Sequence, residues 1–118
     1  MRSSSQINAP ILPRGLDGRD PRFFVLLQSY SHELKQTLCT LPEAINDCRW
    51  DLISPIAHKL LNGGSFGYPE VTAIGNQLAE AVKMQSMEKG ELALLNLTET
   101  VQLIDRGLEL LSLKDEAL

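Results

Sequence analysis

A chain of 118 residues is about one domain, long enough to bury a real core. Hydrophobic residues make up 43% of it but aromatics only 5%, so aliphatic side chains must fill that core, which suits packed helices better than aromatic-rich strands. A net charge of −4 without a long Lys/Arg run argues against nucleic acid, and no apolar run reaches the ~20 residues of a membrane span.

Cys39 and Cys48 form no CxxC and have no histidine at zinc-finger spacing. Without a signal-peptide apolar region, the expectation is a reduced, cytoplasmic protein in which both thiols are small buried or half-buried fillers.

Residues 1–18 mix Ser, Pro and Gly without a period and read as a flexible lead-in; the bundle proper is expected over 19–115. Asp20-Pro21 is a helix start: an N-cap acid followed by proline where a missing N–H costs nothing. Phe23, Leu27, Tyr30, Leu34, Leu38, Leu41 and Ile45 then recur at spacings of three and four, the mark of one buried stripe. Pro42 interrupts that stripe and predicts a kink or break near Leu41.

A second helix is expected from Arg49 or Trp50 through Ile53, Ile56, Ala57 and Leu60, stopping near Gly63-Gly64 or Gly67. A third opens at Pro69 and carries Val71, Ile74, Leu78 and Val82. The fourth begins around Glu88 and carries Leu94, Leu97, Val101, Ile104, Leu108 and Leu111, with Glu99, Gln102, Asp105 and Arg106 on its wet face. No stretch alternates with period two. The predicted fold is all-α, an antiparallel up-and-down four-helix bundle.

Helical geometry of about 100° per residue projects the second helix directly. Ile53, Ile56, Ala57 and Leu60 form one narrow stripe, and His58 falls roughly 150° from its centre, on the solvent side. Ser54, Asn62 and, less closely, Asp51 share that side. A core histidine is thereby disfavoured, whereas a plain surface histidine stays open. His32 serves as the control: it too is helical, but nothing beside it thins out. A neutral imidazole with a pKa near ~6.5 is nucleophilic at cytoplasmic pH. Phosphorylating it needs no local base, only an accessible lone pair and a donor that brings an activated phosphoryl group. Small residues after the helix leave room for that donor.

Residues 20–112 are similar to the histidine-containing phosphotransfer (HPt) domain. The likeness is carried by Asp20-Pro21-Arg22-Phe23-Phe24, the turn Asn46-Asp47-Cys48-Arg49-Trp50-Asp51, the core Ile56-Ala57-His58-Lys59-Leu60, and Ser65-Phe66-Gly67-Tyr68-Pro69-Glu70-Val71. The resemblance implies a phospho-accepting His58, a docking patch around it, and partners that are response-regulator receiver domains or a hybrid histidine kinase. It also implies that the receiver supplies the aspartate and the magnesium ion, so the chain is expected to be a carrier rather than an enzyme, with no metal or cofactor of its own. Where the family usually has lysine and glycine, three and four residues after the histidine, this chain has Leu61 and Asn62. The step from His58 to Gly67 is also one residue shorter than the common pattern, which leaves Gly63 as the candidate for the displaced glycine. Asn62, one turn beyond the imidazole, either hydrogen-bonds the ring or phosphoryl oxygens or obstructs the receiver. Lys59 could supply the missing cation, although it lies about 100° around the helix.

The expected function is a stand-alone, monomeric phosphorelay carrier, since the chain shows no kinase or receiver segment. The competing expectation is an HPt-like adaptor or inhibitor that keeps the docking face without being phosphorylated. A metal enzyme finds no support: there is no Glu-x-x-His or HExxH pair, and two lone histidines do not build such a site. Glu88 and Glu91 read as solvated-face carboxylates, and Met84 and Met87 as packing.

Overall fold

The computed structural model describes residues 10–13 and 20–117, with side chains as far as Leu111. Asp20 opens helix α1 (Pro21–Asn46): its carboxylate accepts the backbone N–H of Arg22 at 3.0 Å, and Pro21 occupies the first helical position. Helix α2 (Trp50–Leu60) follows a tight turn in which Cys48 takes a φ of 53°, and it runs directly into a 3₁₀ helix over Leu61–Phe66. Helix α3 (Pro69–Met84) and helix α4 (Met87–Ala117) complete the chain. No strand occurs among the described residues. Each helix packs against the next and α4 returns to α1, giving a four-helix bundle with α2 and α4 across its diagonal.

The expected stripes supply the core. Leu27, Leu34, Leu41 and Ile45 of α1 meet Ile53 and Leu60 of α2, Val71 and Leu78 of α3, and Leu97 and Ile104 of α4, all essentially free of water. Of the kink or break expected near Leu41, the break does not occur: α1 runs through Pro42 to Asn46. Proline inside a helix costs about 3 kcal/mol. Here Pro42 is exposed while Leu41, Ala44 and Ile45 around it are buried, so apolar burial on both sides of the proline offsets the lost donor.

Neither thiol fills space. Cys39 and Cys48 are both exposed, the first on the wet face of α1 and the second in the left-handed turn before α2. Met84 is likewise 56% exposed at the end of α3, whereas Met87 packs on the core.

Of the expected flexible lead-in over 1–18, residues 10–13 are described and are docked; the others lie outside the described residues. Ile11 donates its N–H to the Leu103 carbonyl at 3.0 Å and packs against the core. The seat exists because Gly107 has no side chain: a Cβ there would collide with the Ile11 carbonyl oxygen.

Helices α2 and α3 approach closely at Gly75. A Cβ added to Gly75 would sit 3.0 Å from the Ala57 carbonyl oxygen, the Leu60 Cβ and the Leu61 nitrogen. Two of those three atoms are backbone and cannot swing aside. Gly75→Ala is therefore expected to destabilise the bundle by about 1–3 kcal/mol, the usual cost of overpacking, despite alanine's better helix propensity. Urea unfolding of the two proteins checks this, a gain in stability being the contrary result.

Candidate functional site

His58 lies in the last turn of α2 and is exposed, as its projection predicts. Beneath it Ala57 and Leu60 are buried, so the core fixes the helix face from which the imidazole projects. The Gly75 contact reinforces this at the backbone, since it grips the Ala57 carbonyl and the Leu61 nitrogen on either side of the histidine. The ring makes no hydrogen bond or ion pair with any described residue. His32, by contrast, is within 3.3 Å of the Gln36 side-chain nitrogen on α1.

The other expected site residues divide between the surface and the interior. Ser54 and Asn62 are exposed, in keeping with a shared outer face. The α-helix nevertheless stops at Leu60, and the 3₁₀ segment beyond it turns about 120° per residue instead of about 100°. Asn62 is consequently carried roughly 40° farther around the axis than an unbroken α-helix would place it. Lys59 is exposed and lines a groove between α1 and α2 with Tyr30, Glu33, Thr37 and Ile56.

Leu61 and Gly63 serve packing. Leu61 is half-buried at the junction of the two helix types. Gly63 is buried, and a Cβ there would meet the Val71 Cβ at 2.6 Å. The small residue at 63 thus lets the 3₁₀ turn close onto α3, while Gly64 and Ser65 provide the thinned, exposed surface.

Three supports were not apparent in the sequence pattern. Thr72 of α3 accepts the Gly64 N–H at 2.8 Å and donates its hydroxyl to the Leu61 carbonyl at 3.0 Å, tying the start and the middle of the turn to one side chain. Nothing local marks this threonine; only its spacing eight and eleven residues from those partners hints at it. Phe66 stacks on Tyr30 with ring centroids 4.2 Å apart, and Tyr68 lies parallel to Tyr30 at 6.2 Å, so aromatic packing pins the turn to α1. Pro55, three residues before His58, is exposed inside α2 and removes the donor that would bond the Asp51 carbonyl. Asp51 itself is paired with Arg49 at 3.0 Å, and that hydrogen-bonded guanidinium holds its carboxyl below the ordinary value.

The hydroxyls of Tyr30 and Tyr68 are buried without a hydrogen-bond partner among the described residues. Burial pushes both phenols up to about 12; the negative charge of Glu33 adds to the effect at Tyr30, and Tyr30 and Glu70 add to it at Tyr68. The described residues contain no cluster of three or more His, Cys, Asp or Glu able to hold a metal ion. What the site offers chemically is an unencumbered imidazole on a rigid helix face, bordered by a hydroxyl, a carboxamide and glycine backbone.

Comparison with protein-family models, with curated proteins and with solved structures gives no match.

Two outcomes follow from this geometry. Thr72→Val should cost about 1–3 kcal/mol, since it strands the Gly64 N–H and the Leu61 carbonyl together, whereas Thr72→Ser should retain most of the stability. Chemical denaturation of both variants distinguishes the hydroxyl from mere volume. The tyrosines set an alkaline limit. Their folded pKa of about 12 exceeds the ordinary 10.0, so the folded state holds protons that the unfolded chain releases. That contribution is complete below pH 10.0 and is lost as pH rises towards about 12. Tyr30→Phe should move the alkaline unfolding midpoint upward and leave stability at neutral pH unchanged or improved; an acid-side shift would contradict it.

Proposed function

We propose that the chain is a phosphohistidine carrier in a histidine–aspartate relay, with His58 as the acceptor. The observation that carries this reading is the exposed His58 ring, free of described partners, on a helix gripped by the core and by Gly75. A ring nitrogen would attack the phosphorus of a receiver's aspartyl phosphate. The N–P bond forms as the P–O bond to the aspartate breaks, and the carboxylate leaves with the bonding pair. The ring proton on the other nitrogen is shared with solvent, so no base is required of this chain. The magnesium ion belongs to the receiver. Transfer to a second receiver is the same step reversed.

No helix among the described residues is long and apolar enough to cross a membrane. With this, the proposed setting is cytoplasmic and the proposed partners are receiver domains and a hybrid kinase, bound by a monomer. A second reading is favoured by the residues that follow the histidine: Lys59 lines the groove towards α1, Leu61 is half-buried, and Asn62 is rotated away. Leu61 stands where the family's lysine would be, and an adaptor that docks without being phosphorylated has no use for that cation.

Incubation with a phosphorylated receiver separates the two. A carrier acquires acid-labile, base-stable label that disappears in His58→Gln and persists in His32→Gln. A stable complex without label establishes the adaptor.

A further inference from the structure

Helix α4 carries an apolar face that the bundle does not use. Leu92 and Leu95 are 56% and 54% exposed, while Ala93 and Leu97 beside them are buried in the core. With Glu88, Lys89 and Glu91 they line an open concavity of about 490 Å³. Spacing of three residues puts both leucines on one side of the helix, one turn from Glu88, Glu91 and Glu99. The one cation in the lining, Lys89, is engaged by Glu80 of α3 at 3.3 Å. The face is therefore a pair of leucines with an acidic border.

We propose that this face docks a partner protein through a basic amphipathic helix. Two exposed leucines one turn apart line the concavity and offer an apolar floor of the kind that receives the apolar face of an amphipathic helix. The border selects the occupant. A second copy of this chain would bring its own Glu88, Glu91 and Glu99 against the same carboxylates, and an anionic lipid surface would be repelled in the same way. A helix presenting leucines with flanking lysines or arginines meets both features, its cations drawing on carboxylates that Lys89 leaves unneutralised. The position is equally informative. Because α4 lies across the diagonal from α2, a partner on its outer face leaves His58 open. The bundle then holds one protein at the back while exposing its imidazole at the front. This inference does not depend on His58 being phosphorylated.

The test uses the full chain, isotope-labelled for amide NMR, and a short helical peptide of leucine and lysine as probe, with its leucine–glutamate counterpart beside it. The lysine peptide should perturb amides from Glu88 to Glu99 saturably and weaken as salt rises; the glutamate peptide should not bind. Leu92→Ser with Leu95→Ser, both at exposed positions, should bind roughly tenfold more weakly while retaining the helical spectrum. Glu88→Gln with Glu91→Gln and Glu99→Gln should weaken binding without moving its location. Equal binding of both peptides, or perturbations centred on Val25 and Leu26 or on the His58 face, overturns the proposal. So does a dimer in sedimentation that the leucine substitutions dissolve.

Discussion

The α2–α3 contact at Gly75 is the constraint on which the rest of the site depends. An absent side chain lets a helix backbone come against the Ala57 carbonyl and the Leu61 nitrogen. That approach fixes the azimuth of α2, and with it the direction of His58. It also brings Thr72, three residues earlier on α3, within reach of the turn beyond Leu60, so one hydroxyl can satisfy two backbone groups where the α-helix ends. Gly63 repeats the device one level lower, against Val71. Three consequences — a directed imidazole, a tied turn and a closed helix pair — follow from small residues placed where two backbones meet.

Much of this architecture is written in local periodicity. Apolar residues at alternating spacings of three and four predicted each helix, and Asp20-Pro21 and Tyr68-Pro69 marked starts that the structure places at Pro21 and Pro69. The exposure of His58 followed from the same arithmetic. What escaped the sequence is tertiary in origin. Pro42 looked like a break because its local cost is visible, whereas the burial of Leu41 and Ile45 that outweighs it is visible only in the packed bundle. The 3₁₀ segment escaped because two of its backbone groups, the Gly64 N–H and the Leu61 carbonyl, bond the distant Thr72, and the placement of Gly63 because its neighbour is Val71. Cys39 and Cys48 were misplaced by composition, since cysteine is commonly buried, while helix phase and a left-handed turn put these two in water.

The surroundings of the imidazole rely on packing more than on charge. Its turn is held by the stacking of Phe66 and Tyr68 on Tyr30 of α1 and by a neutral hydroxyl, while the ion pairs in the described chain, such as Lys35 with Asp105 and Arg49 with Asp51, are solvent-exposed and contribute little individually. A site arranged this way keeps its shape as ionic strength varies. The buried phenols of Tyr30 and Tyr68 carry the opposite dependence: insensitive to salt, they are intolerant of high pH.

The docked segment at Ile11 bears on the order in which the chain is completed. Its contact with Leu103 joins residues near opposite ends of the described sequence, and closing so long a loop is entropically unfavourable until the intervening helices are in place. Its seat, moreover, is a surface of α4 at Gly107, whose flanking Ile104 and Leu108 are buried in the core. Among the described residues its hold on the helices is the Ile11–Leu103 hydrogen bond and the packing of Ile11 on the core, a small contact beside those that join the four helices to one another.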